Sequence, residues 1–208
     1  MQTEPVRTIT NPPANAVTDR HFMRHPKKQT VREQFFNLPE GTPCQLIAGE
    51  VIMSPSPVPL HQAIIMELSS QMLHFVKANK AGLVFSAPLD VSLNEDNIFQ
   101  SDILFIHKDN ISIIGEKMIE GAPDLVVEVL SPSSAYHDLR TKFRVYEQSV
   151  VREYWIVDPE RKSVEVFMNS GKKFQLHQEI EGKGEVQSAL LSGFSVDLNS
   201  IFLNLNSI

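Results

Sequence analysis

The chain has 208 residues, 42% of them hydrophobic, and a formal net charge of −6. That length holds one sizeable core plus extensions at roughly 150 residues per domain, and the acidity excludes nucleic-acid binding by bulk electrostatics, which needs clustered Lys and Arg. No secretory apolar region or membrane-length run of ~18 apolar residues occurs, and the one cysteine, Cys44, excludes an internal disulfide or multi-cysteine zinc site. Cys44 reads as a small buried hydrophobe and suits a reducing cytoplasm.

Residues 1–28 read as a disordered tail: Thr8 to Ala16 has two prolines and no apolar periodicity, and His25-Pro26-Lys27-Lys28 breaks any helix. Residues 29–208 read as a single domain. Thr30-Val31-Arg32-Glu33 has the capping-box pattern and starts a short helix through Phe35 and Phe36. Gln45-Leu46-Ile47, Ala48-Gly49 and Glu50-Val51-Ile52-Met53 predict a hairpin with a tight glycine turn. The prolines of Ser54 to Pro59 exclude regular structure there.

His61, Ile65, Leu68, Met72 and Val76 fall at helical spacing, which predicts a helix over Leu60 to Asn79. Strands are predicted at Leu83–Ser86, Leu89–Leu93, Asp102–His107 and Asp124–Leu130, then a helix over Asp138–Gln148. Further strands are predicted at Glu153–Val157, Ser163–Phe167 and Lys173–Ile180, before a C-terminal segment through Phe194 and Phe202. Strands with interspersed helices predict a mixed α/β sheet covered by helices. No internal repeat is present.

The chemistry concentrates in Leu125-Val126-Val127-Glu128-Val129-Leu130. Such a run is a strand buried on both faces, and a carboxylate inside it is costly unless paired, protonated or bound to metal. A structural ion pair with a nearby Lys or Arg and a functional acid both meet that need. Asp102 opens another apolar strand. It is either a strand-end aspartate or, if the two strands are neighbours, a second carboxylate beside Glu128, and such a pair suits Mg²⁺ or Mn²⁺.

Lys142 follows Asp138 at i, i+4, with Tyr146 one step further. It is an exposed pair, or it overhangs the end of the Glu128 strand, where its charge could stabilise a phosphoryl transition state. His61 is a core histidine or an acid/base or ligand group. Glu50 is a hairpin residue or a further carboxylate ligand. No phosphate-cradling Gly loop, Gly-x-Ser-x-Gly elbow or His-Glu-x-x-His helix is present. Tyr154 and Trp155 read as core aromatics.

These residues carry a family resemblance. Gly49 to Pro57, His61, Gln100 to Phe105, Gly121 to Ser134, then Asp138, Lys142, Tyr146 and Glu153 to Pro159 resemble the Uma2 family of putative restriction endonucleases over about Thr30 to Phe202. The resemblance implies a restriction-endonuclease-like fold of the PD-(D/E)xK class: a central mixed β-sheet flanked by helices, here with an N-terminal helix and β-hairpin extension. It implies Asp102 and Glu128 as the two motif acids. The parent pattern places lysine two residues after the second acid, where this chain has Leu130. The family takes its lysine from the following helix, which maps to Lys142. Ser101 stands where the family usually has proline.

The expectation is an endonuclease hydrolysing DNA phosphodiester bonds with one or two Mg²⁺ (or Mn²⁺) ions on Asp102 and Glu128, with Glu50 as a further ligand. Lys142 would place water or neutralise charge, and His61 would assist. Metal would offset part of the chain's acidity. Arg140 and Arg144, with Asp138, are expected to bind substrate. A homodimer cutting both strands is expected. The alternative is a non-catalytic nucleic-acid-binding or regulatory module on the same fold.

Overall fold

The computed structural model describes residues 29–131 and 136–202, with the backbone alone at 136–139. The expected tail at residues 1–28 lies outside the described residues. The first element described is helix α1 (Val31–Phe36), capped reciprocally by Thr30 and Glu33 as the sequence predicts. Strands β1 (Cys44–Ile47) and β2 (Glu50–Met53) form the predicted hairpin. Its turn residues Ala48 and Gly49 both have positive φ, 51° and 79°, the mirror-image turn that matches strand twist. Ala48 is held in this conformation by donating its N–H to Asn97 Oδ1 at 2.9 Å.

Helix α2 (Pro59–Asn79) buries His61, Ile64, Ile65, Leu68, Met72 and Val76 on one face. Then come β3 (Gly82–Ser86), β4 (Val91–Asn94), β5 (Asn97–Phe99) and β6 (Ile103–His107), a 3-10 turn (Lys108–Ile113), β7 (Ile119–Glu120) and β8 (Leu125–Val129). Helix α3 (Tyr136–Gln148) leads to β9 (Glu153–Asp158), β10 (Ser163–Asn169) and β11 (Phe174–Glu181). Strands β12 (Glu185–Gln187) and β13 (Ser195–Asp197) and helix α4 (Leu198–Ile201) follow.

The central sheet is mixed, in the order β11-β10-β9-β8-β6-β3. Its one parallel contact is β8 with β9, and a parallel pair needs a crossover, which α3 supplies. Every residue of β8 is buried. Val127 and Val129 face α2 with Ile103, Phe105 and Trp155, while Val126 faces α3 with Tyr146, Tyr154 and Ile156. Tyr154 and Trp155 are core aromatics, and Cys44 is buried.

The N-terminal helix and hairpin extension are present. The hairpin joins a second sheet, β2-β1-β5-β4-β7, whose Val91 and Ile119 pack on Leu104 and Ile106 of β6. Among the described residues no helix is long and apolar enough to cross a membrane.

Candidate active site

The antiparallel register pairs Ile103 with Val127. One step outward along each strand, Asp102 and Glu128 come opposite each other where β6 begins and β8 ends. Asp102 is tied there by accepting the Val129 N–H on Oδ2 at 2.7 Å. Both side chains line a cleft of about 570 Å³, together with His61, Lys142 and the proline segment before α2.

Lys142 points inward from α3. Its Nζ donates to both Glu128 oxygens, at 3.0 Å to Oε1 and 2.9 Å to Oε2, and lies 5.7 Å from the Phe99 ring centroid. Glu128 and Lys142 are only 7% and 8% exposed. The ion pair anticipated as one explanation of a buried Glu128 is therefore present, and Lys142 is its partner rather than half of an exposed pair.

Tyr146, one helical turn beyond Lys142, donates its hydroxyl to Glu128 Oε1 at 2.6 Å, and its oxygen lies 2.9 Å from Ser101 Oγ. Burial pushes the Glu128 carboxyl above its usual value; Lys142 opposes this, the Asp102 charge adds to it, and the Tyr146 hydroxyl opposes it. Burial and the Glu128 charge push the Tyr146 hydroxyl well above its ordinary value, so it keeps its proton.

His61 reaches the same corner from the first turn of α2. Its Nε2 lies 3.0 Å from Val129 O and 3.3 Å from Asp102 Oδ2. Both neighbours are acceptors, so Nε2 carries a proton. Burial disfavours the imidazolium, but Asp102 and the Val129 carbonyl outweigh it and the ring is raised above its ordinary value. His61 Nδ1 is buried with no hydrogen-bond partner among the described residues.

Thus Asp102, Glu128, Lys142 and His61 share one cleft. Glu50 does not: it is exposed at the start of β2 and is absent from the cleft wall. Arg140 and Arg144 are exposed on α3, and neither lines the cleft. The Asp138 side chain lies outside the described residues. Sequence reasoning gave no role to Tyr146 or Ser101, although Tyr146 lies four residues after Lys142 and Ser101 directly precedes Asp102.

Two carboxylates at facing strand ends, close enough for the charge of one to raise the other, are the donor chemistry of a hard divalent cation. Mg²⁺ characteristically takes one or two protein carboxylates and completes its shell with water and phosphate. Among the described residues no group of three or more His, Cys, Asp or Glu side chains is gathered for a metal. Asp102 and Glu128 are the two carboxylates on the cleft wall that match this chemistry.

The model of the Uma2 family, described as "Putative restriction endonuclease", matches residues 32–199. A solved structure described as a putative nuclease belonging to DUF820, from Anabaena variabilis ATCC 29413, is similar with a TM-score of 0.70 and 23% identity. The match covers 84% of this chain and 97% of that one. At that identity the likeness establishes a shared fold. No curated protein matches the chain.

Proposed function

Since the chain belongs to the Uma2 family of putative restriction endonucleases, we propose that it is a metal-dependent endonuclease hydrolysing DNA phosphodiester bonds at Asp102, Glu128 and Lys142. The observation that carries this reading is the meeting of Asp102, Glu128 and Lys142 in one cleft. Asp102 and Glu128 would hold Mg²⁺ or Mn²⁺, which supplies Lewis-acid polarisation of the phosphate and a nucleophile at neutral pH.

The chain's own groups do the rest. Val129 N–H and His61 Nε2 fix the Asp102 carboxylate from one side. Lys142 brings an ammonium to the cleft from α3, where it neutralises charge that develops on the phosphate. His61, with a protonated Nε2 beside Asp102, can pass a proton at that nitrogen. The proposal includes a single nuclease domain over residues 29–208, a cytoplasmic setting and a homodimer that presents two sites to a duplex.

The test is cleavage of supercoiled and linear DNA with Mg²⁺, comparing the native chain with Asp102→Ala and Lys142→Ala. Cleavage by the native chain alone is expected. Equal nicking by all three proteins would remove the mechanism.

A second reading, a nucleic-acid-binding or regulatory module without catalysis, is favoured by one observation. Lys142 is the only Lys or Arg among the described residues lining the cleft, in a chain of net charge −6. DNA bound and retarded without cleavage at any Mg²⁺ or Mn²⁺ concentration would select it.

A further inference from the structure

We infer that Tyr146, backed by Ser101, is a positioning residue that holds one oxygen of Glu128 and leaves the other for the divalent cation. The inference rests on the metal-dependent reading proposed above and adds how the acid is aimed.

Glu128 Oε1 has two donors, the Tyr146 hydroxyl at 2.6 Å and Lys142 Nζ at 3.0 Å. Oε2 receives Lys142 Nζ at 2.9 Å, with no second donor among the described residues. A carboxylate oxygen has about two lone-pair directions. Oε1 is therefore filled, and Oε2 has one direction left.

The direction of the hydrogen-bond chain is fixed by chemistry. A carboxylate paired with an ammonium only accepts, so Tyr146 donates to it. The Tyr146 oxygen must then accept from Ser101, so the serine hydroxyl is the donor of the 2.9 Å contact. Tyr146 and Ser101 are both fully buried. Tyr146 therefore aims Glu128 through a hydroxyl that is itself held by Ser101. The terminal torsion of a glutamate is soft, so without Tyr146 only Lys142 would fix the carboxylate plane, and Lys142 is the group the reaction needs elsewhere.

The experiment uses the full chain as Tyr146→Phe, Ser101→Ala and Ser101→Thr, with Mn²⁺ affinity measured by calorimetry and kcat and KM measured on plasmid DNA. Tyr146→Phe keeps the ring packing against Phe99 and Tyr154. It is expected to weaken Mn²⁺ binding about tenfold and to lower kcat roughly 10- to 100-fold, with KM for DNA within about twofold. Ser101→Ala should show a smaller loss in the same direction, and Ser101→Thr should restore it.

Native Mn²⁺ affinity and kcat in Tyr146→Phe would overturn this inference and leave the proposed function standing. A native chain that neither binds Mn²⁺ nor cleaves DNA would overturn both. Should Tyr146→Phe fail to fold, equal Mn²⁺ affinity in Ser101→Ala and Ser101→Thr overturns the inference.

Discussion

Replacing Lys142 by methionine keeps an unbranched stem and deletes the charge that faces Glu128. The carboxylate, 7% exposed, keeps Tyr146 as a donor and loses both Lys142 contacts. Removing one partner of a buried pair costs roughly 3–5 kcal/mol. The cleft beside the pair and the remaining Tyr146 bond place this case near the lower end. At about 2–4 °C per kcal/mol for a chain of this size, Tm should fall by roughly 6–12 °C near pH 8.

The loss depends on pH. Glu128 already lies above its ordinary value of 4.5 and rises further without the ammonium. A carboxyl raised in the folded state carries no penalty below 4.5, where both states are protonated. The penalty then grows by about 1.36 kcal/mol per pH unit until the folded value is passed. The deficit of Lys142→Met should therefore be small at pH 4.5 and larger at pH 8.

Urea unfolding of the metal-free native chain, Lys142→Met, Glu128→Gln and the double variant measures this directly. A coupling energy of about 2–3 kcal/mol at pH 8 is expected, and the double variant should be more stable than Lys142→Met alone. Costs that add within about 0.5 kcal/mol, or a Lys142→Met chain as stable as native at pH 8, would refute the reasoning.

Two further outcomes follow from the same geometry. Mn²⁺ at about a hundred times its Kd should stabilise the native chain by about 2.7 kcal/mol, visible in a thermal scan, reversed by EDTA and absent in Asp102→Ala. Glu147 on α3 accepts the Phe174 N–H at 2.8 Å, and this bond, then Lys173, holds its carboxyl below the usual value. A depressed carboxyl adds stability above its unfolded value near 4.5 and loses it as pH falls through the folded value. Glu147→Gln should thus flatten the acid limb of a Tm-versus-pH curve below about pH 4.5.

The elements legible in the sequence are those whose pattern is long or chemically unusual. Helix α2 showed itself by five apolar-face positions, β8 by a charge inside a β-branched run, and the hairpin by Ala48-Gly49. The second sheet was not legible. Strand β5 has three residues and β7 two, too few for any period, and β1 joins them through the distant pair Leu46 and Ile98.

Geometry keeps Arg140, Arg144 and Glu50 off the cleft wall. Residues two apart on a helix differ by about 200° around the axis, so α3 cannot turn Lys142 and Tyr146 inward together with Arg140 and Arg144. Glu50 is a ligand candidate in the sequence, and its place on a hairpin in the second sheet depends on strand pairing that the local sequence does not encode. Ser101 carries no signal of its own, because a serine before an aspartate acquires meaning only once Tyr146 stands over it.

The route taken by α3 between the two parallel strands has a consequence for how the cleft is put together. A lysine borne on the same strand as Glu128 would be placed whenever that strand paired. Here the lysine is placed by the packing of the helix on the sheet, through Phe143 against Tyr154, Phe167 and Phe174 at ring distances of 5.9, 5.1 and 5.0 Å. The cluster of Asp102, Glu128 and Lys142 is therefore not a local fragment: strand β8, the crossover helix and the aromatic ledge on β9, β10 and β11 all contribute to it. Loosening of that ledge would withdraw the lysine while leaving the sheet intact, and would leave Glu128 without its ammonium partner.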